Sequence, residues 1–96
     1  MKYTHIVHNE LKSLPTASYQ LIDVREESEV LRGKLPHAKN IPLNQLPQRL
    51  AELDKNRTVV VICQSGQRSA RAADFLVQAG FAKVANVTGG MAALHS

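Results

Sequence analysis

Thr58-Val59-Val60-Val61-Ile62, then Cys63-Gln64-Ser65-Gly66-Gln67-Arg68, then Ser69-Ala70-Arg71-Ala72-Ala73-Asp74-Phe75-Leu76 is the stretch that decides the fold. Its first part is almost wholly β-branched and apolar, which is the pattern of a strand buried on both faces. Arg68 to Ala79 carries a helical pattern, closed by Gly80. A buried strand that passes through a short polar loop into a helix is the unit of an α/β fold.

Working outward, strand-like and helix-like runs alternate. Tyr3 to Val7 reads as a first short strand, and Asn9 as the cap of a helical piece that Pro15 stops after Leu14. Tyr19 to Val24 reads as a second strand. Glu26 to Leu31 is an acidic helix start that Gly33 ends. Ala38 to Ile41 is a minimal third strand. Asn44 can cap a helix from about Gln45 to Leu53, with Pro47 in its first turn. Lys83 to Val87 is a last strand, and Gly89-Gly90 turns into a short terminal helix. The expected architecture is one α/β domain over residues 1–96, with a mostly parallel central sheet flanked by helices on both faces. In such sheets ligands bind beyond the carboxyl ends of the strands. Cys63 lies at one such end; Asp23, Val24 and Arg25 lie at another.

The composition narrows the function classes. The chain has 96 residues, 44% hydrophobic, with net charge +4. That is room for a single core. No apolar run reaches membrane-spanning length. The N-terminus, Met1-Lys2-Tyr3-Thr4-His5-Ile6, lacks a signal-peptide core. One cysteine cannot form an internal disulfide, so a reducing cytoplasm is the expected home. The cations Lys34, Lys39, Arg49, Lys55, Arg57 and Lys83 are scattered and aromatics are only 4% of the chain, which argues against nucleic acid. His5, His8, His37 and His95 form no metal-ligand pattern, and His5 and His8 would face opposite sides of a strand. No metal or cofactor is expected.

The chemistry points to Cys63. A helix start offers unpaired N–H groups and the positive end of its dipole, and both stabilise a thiolate. Gly66 permits a positive φ in mid-loop, so the amides of Gln64 to Gln67 can curl into an anion nest. Arg68 and Arg71 add positive charge. Such a cysteine attacks electrophilic sulfur, phosphorus or arsenic. The competing reading of Cys63 is an inert buried side chain that ends a core strand. The polar loop and the arginines weigh against it. For Arg71 the alternative is a solvated residue paired with Asp74. For Ser65 and Ser69 it is loop hydrogen bonding and capping.

Four collinear segments then resemble the rhodanese-like single-domain sulfurtransferases, over roughly Leu21 to Leu94. Leu21-Ile22-Asp23-Val24-Arg25-Glu26 is similar to the first signature of that family. Gly33-Lys34-Leu35-Pro36-His37-Ala38-Lys39-Asn40-Ile41-Pro42 is similar to the second, with Lys34 in place of the usual histidine and His37 in place of a glycine. Cys63 to Ser69 is similar to the active-site loop, and Val87-Thr88-Gly89-Gly90-Met91 to the C-terminal signature. Met91-Ala92-Ala93-Leu94 lacks the aromatic that often follows.

The resemblance implies that Cys63 takes a sulfane sulfur from a small anionic donor such as thiosulfate, holds it as a persulfide, and passes it to cyanide or a thiol. It implies that Gln64, Ser65, Gly66, Gln67 and Arg68 surround the outer sulfur, with Arg68 steadying the loop or meeting the donor. Asp23, Arg25, Ser69 and Arg71 would support the site: Asp23 by bonding loop backbone, Arg25 by pairing with an acid such as Glu26 or Glu29. A carrier role in a protein sulfur relay is a variant. Phosphatase or arsenate reductase on the same scaffold is the rival. The phosphatase loop is one residue longer between cysteine and arginine than the four residues Gln64 to Gln67, and suits a larger oxyanion.

Overall fold

The structure is a computed structural model that describes residues 2–94. Five strands form one sheet: β1 (Thr4–Ile6), β2 (Tyr19–Asp23), β3 (Lys39–Asn40), β4 (Thr58–Ile62) and β5 (Val84–Val87). Their order is β1-β5-β4-β2-β3 and every pairing is parallel. The helices are α1 (His8–Ser13), α2 (Glu27–Val30), α3 (Gln67–Gln78) and α4 (Gly90–Ala93), with 3₁₀ segments at Thr16–Ser18 and Leu43–Glu52.

The alternation along β4 builds two cores. Val59, Val61 and Cys63 face one side with Ala72, Ala73 and Leu76 of α3 and Leu46 of the long 3₁₀ segment. Val60 and Ile62 face the other with Leu11 of α1 and Met91 of α4. Helices therefore cover both faces, which is why β4 has no polar alternation. On α3 the buried residues are Ser69, Ala72, Ala73 and Leu76, one stripe at helical spacing whose small members let the helix lie close to the sheet.

Connections from β2 and β4 leave in opposite directions. After β2 the chain moves outward to β3, and after β4 it moves to β5 on the other side. The crevice between the carboxyl ends of β2 and β4 is thus the switch point of the sheet, the expected place for a ligand.

Several boundaries depart from the sequence reading. The first helix begins at His8, so Asn9 is inside it and not its cap. Glu10 instead reaches back to the Val7 N–H, 3.0 Å away. His8 is consequently helical and not on β1, and its Nε2 lies 2.8 Å from the Gly90 carbonyl. The expected α-helix after Asn44 is a 3₁₀ run from Leu43 with Asn44 inside it. Pro47 within that run has no N–H to close an α-helical turn. His95 lies outside the described residues.

His37 is the one non-glycine residue with positive φ among the described residues, at 65°. It stands where the second signature usually has glycine. The turn after Pro36 requires a left-handed residue, and here an imidazole-bearing one accepts that conformation.

Candidate active site

Cys63 leaves β4 fully buried, with its side chain on the α3 face. Its Sγ accepts hydrogen bonds from the Gly66 N–H (3.1 Å) and the Ser69 N–H (3.3 Å), and the Ser69 hydroxyl lies within hydrogen-bond reach at 3.3 Å. The turn that permits this is Gly66, at φ 100°, directly before α3. Burial pushes the thiol pKa up. The Ser69 hydroxyl and the N–H groups of Ser69, Gly66 and Ser65 outweigh it, so the thiol sits below its ordinary value.

The loop amides can point inward because its carbonyls are satisfied outward. The Cys63 carbonyl accepts from the Met91 N–H at 2.8 Å, and the Gln64 carbonyl from the Ala92 N–H at 2.9 Å. Helix α4 therefore presents its first N–H groups to the back of the loop. Gly90 makes that approach possible: a Cβ there would lie 2.3 Å from the Cys63 carbonyl oxygen and 2.7 Å from that of Gln64. Its φ of 58° is also left-handed. The Gly-Gly signature is thus part of the cysteine loop in space.

The two arginines of the site have separate tasks. Arg68 donates from both terminal nitrogens to Glu29 of α2, at 2.6 and 2.9 Å. Those bonds hold the Glu29 carboxyl down at about 2 and tie the start of α3 across the crevice. Arg68 thus clamps the loop, and its guanidinium is engaged by protein. Arg25 pairs with Asp23, not with Glu26 or Glu29 as expected. The contacts are Nη2 to Oδ2 at 2.7 Å and Nε to both oxygens at 3.0 and 3.1 Å. A residue two positions away reaches more readily than the next helix, and this pair is almost wholly buried. The Asp23 carboxylate also accepts from the Arg25 N–H at 3.1 Å, so the backbone it bonds is its own turn and not the cysteine loop.

Gln64, Ser65 and Gln67 are exposed on the loop rim. Arg71 is exposed as well, and the ion pair with Asp74 weighed as its alternative role is not formed; Asp74 accepts from Gln78 instead, at 3.1 Å. Arg71 therefore adds no contact to the sulfur. A cleft of about 500 Å³ opens beside the loop, lined by Gln64, Met91, Leu94, Arg25, Arg32 and Lys34 among others. Arg32 was not singled out by sequence reasoning, and neither was Asn86, which is buried on β5 and meets Ser69. An asparagine within the otherwise apolar Val84–Val87 strand is the signal that could have found it.

A family profile for the rhodanese-like domain matches residues 7–96 of the sequence. The chain belongs to the rhodanese-like domain family. Among its relatives is the putative sulfurtransferase YtwF of Bacillus subtilis, 39% identical over 94 residues, covering 88% of this chain and 90% of that protein. The thiosulfate sulfurtransferase GlpE of Shewanella oneidensis is 31% identical, covering 97% of this chain and 93% of its own. The crystal structure of a rhodanese-related protein from Thermoplasma volcanium superposes with a TM-score of 0.85 at 33% identity, over 94% of this chain and 88% of that one. As a rhodanese-like chain it carries one cysteine, and that cysteine is the one in the cradle. No helix among the described residues is long and apolar enough to cross a membrane.

Proposed function

We propose that this rhodanese-like sulfurtransferase moves a sulfane sulfur from an anionic donor such as thiosulfate to cyanide or a thiol through a Cys63 persulfide. The observation that carries the reading is the convergence of three donors on one sulfur atom, Gly66 N–H, Ser69 N–H and Ser69 Oγ. Such a cradle favours a thiolate nucleophile at neutral pH.

In the first half-reaction the Cys63 thiolate attacks the outer sulfur of thiosulfate. The sulfur–sulfur bond of the donor breaks, sulfite leaves with the electron pair, and Cys63 carries the persulfide. In the second, the acceptor attacks the outer sulfur and Sγ leaves as thiolate. Neither step needs a metal. The tight loop favours sulfur over phosphate, because its donors close on Sγ itself and leave a single added atom as the natural occupant. Because Glu29 engages Arg68, the anionic end of the donor is drawn by Arg32 and Lys34 at the cleft, and Arg68 serves as a strut. A reducing compartment such as the cytoplasm would keep the lone thiol free.

The test is thiocyanate formation from thiosulfate and cyanide. Cys63→Ser should abolish it. Arg32→Ala with Lys34→Ala should raise KM for thiosulfate severalfold with kcat nearly unchanged. Hydrolysis of a phosphate monoester without any thiocyanate would refute the reading.

A further inference from the structure

Ser69 faces a conflict that hydrogen-bond counting exposes. Its Oγ lies 3.3 Å from Cys63 Sγ and 2.5 Å from the Asn86 amide oxygen. The orientation of that amide follows from its other end, because Asn86 Nδ2 donates to the Gly66 carbonyl at 3.2 Å. An amide oxygen donates nothing, so the contact between Ser69 and Asn86 must use the single proton of the Ser69 hydroxyl. While that proton points at Asn86, Ser69 offers Sγ only lone pairs. The contact with sulfur is then carried by the thiol proton of Cys63. All three groups are buried, and this arrangement satisfies each of them.

Ionisation removes the thiol proton and breaks that chain. Lone pairs of Ser69 would then face a negative sulfur. The hydroxyl must turn from Asn86 to Sγ, which leaves the buried Asn86 oxygen without its donor.

The geometry points to Asn86 as a positioning residue that makes the Ser69 hydroxyl a two-position switch, turned to Asn86 when Sγ is neutral and to Sγ when it is a thiolate. Asn86 acts only through Ser69. In persulfide chemistry, which rests on the function proposed above, Sγ becomes a bridging atom after loading and the hydroxyl returns to Asn86. During discharge the acceptor forms its bond to the outer sulfur and the old sulfur–sulfur bond gives its electron pair to Sγ. The hydroxyl then swings back to meet the new charge. Among the described residues β4, β5 and α4 carry no charged side chain, β1 places His5 in register with Asn86, and β2 ends in Asp23. The charged groups near it are Arg68 of α3 with its partner Glu29 of α2, and Asp23 at the end of β2 paired with Arg25, all left intact in the test.

The experiment measures the pH dependence of iodoacetamide alkylation, which reports on Cys63 alone because the chain has one cysteine. Asn86→Leu releases the Ser69 proton to Sγ permanently, so the thiol pKa should fall by about half to one pH unit, a threefold to tenfold gain in thiolate at low pH. Asn86→Ala is the second variant, with the same sign expected. Ser69→Ala removes a donor and should raise the thiol pKa. In the Ser69→Ala background, Asn86→Leu should change nothing. At a pH where all forms are ionised, sulfur loading by Asn86→Leu should be about twofold to threefold slower, because a better stabilised thiolate is a weaker nucleophile.

A purely structural Asn86 would loosen Gly66 and raise the pKa. That result, an unmoved pKa, or a shift that persists without the Ser69 hydroxyl overturns the switch. If neither Asn86 variant folds, Ser69→Ala decides: a rise supports the switch, and a fall or no change overturns it. Alkylation needs no sulfur donor. A chain with the predicted pKa pattern and no sulfur transfer would keep the switch and lose the proposed function.

Discussion

The turn after β2 and the loop after β4 leave neighbouring parallel strands at the same end of the sheet, and they use their polar groups in opposite ways. In the turn, Asp23 and Arg25 consume each other, and what remains of Arg25 goes to the Gly33 carbonyl at 2.8 Å. Asn40 closes the turn by donating to the Asp23 and Arg25 carbonyls, both at 2.9 Å. In the loop, carbonyls are satisfied from behind by α4 while the amides and Ser69 converge on one sulfur. Both segments are rich in hydrogen bonds. The difference lies in the acceptor: a carboxylate that is already paired builds structure, and a thiol that can lose its proton builds reactivity.

Substitutions in the two segments should separate stability from chemistry. The largest effect on stability is expected in the turn. Asp23→Ala leaves the Arg25 charge buried and unpaired, at a cost of about 3–5 kcal/mol. Thermal unfolding should then begin more than about 12 °C lower. Sulfur loading by the molecules that remain folded should change little. If loading were lost while stability held, the division of labour would be wrong.

Gly90→Ala comes next and should invert that pattern. Its methyl group has no room against the Cys63 and Gln64 carbonyls. A stability loss of about 1–3 kcal/mol is expected from overpacking. The loop must shift to accommodate it, so Cys63 alkylation should show a thiol pKa moved up towards that of a free thiol. An unchanged pKa would mean that α4 does not set the cradle.

Arg68→Gln should act more gently. The Arg68–Glu29 pair is about a third exposed, so screening keeps its share of stability at or below about 1 kcal/mol. The sign in pH follows from a depressed carboxyl. Glu29 sits at about 2 in the folded chain, so its contribution is fully present above the ordinary glutamate range and is lost as pH falls towards 2. Urea unfolding at several acidic pH values should show that this part of the acid loss disappears in Arg68→Gln.

The smallest effect belongs to His37→Gly, outside both segments. Removing the side chain from a left-handed backbone should stabilise the domain by about 1 kcal/mol or less, since glycine also loosens the unfolded chain. A destabilised variant would show that the His37 ring packs usefully.

The contrast between turn and loop also explains what could be read from the chain. Strand β4 and helix α3 were legible to within a residue, because an unbroken β-branched apolar run marks a strand buried on both faces and a stripe of small apolar residues at helical spacing marks the helix. The cysteine loop was legible as a nest because Gly66 and the following helix start are local features. Tertiary partners were not. Glu29 reaches Arg68 across 39 positions, and an arginine at a helix start looks the same with or without that partner. Asp23 and Arg25 are close in sequence, but nothing local says that burial will force them together. The long 3₁₀ run was hidden because proline is equally at home in the first turn of an α-helix. Asn86 was missed since one polar residue in a short strand carries no periodicity. Only the fold reveals that it meets Ser69.

The function proposed for Cys63 is to carry a transferable sulfur. Intact-protein mass spectrometry after incubation with thiosulfate tests it most directly. The native chain should gain one sulfur atom, reversed by cyanide and absent in Cys63→Ser. A native chain that gains no mass, or a Cys63→Ser variant that gains the same mass, would contradict it.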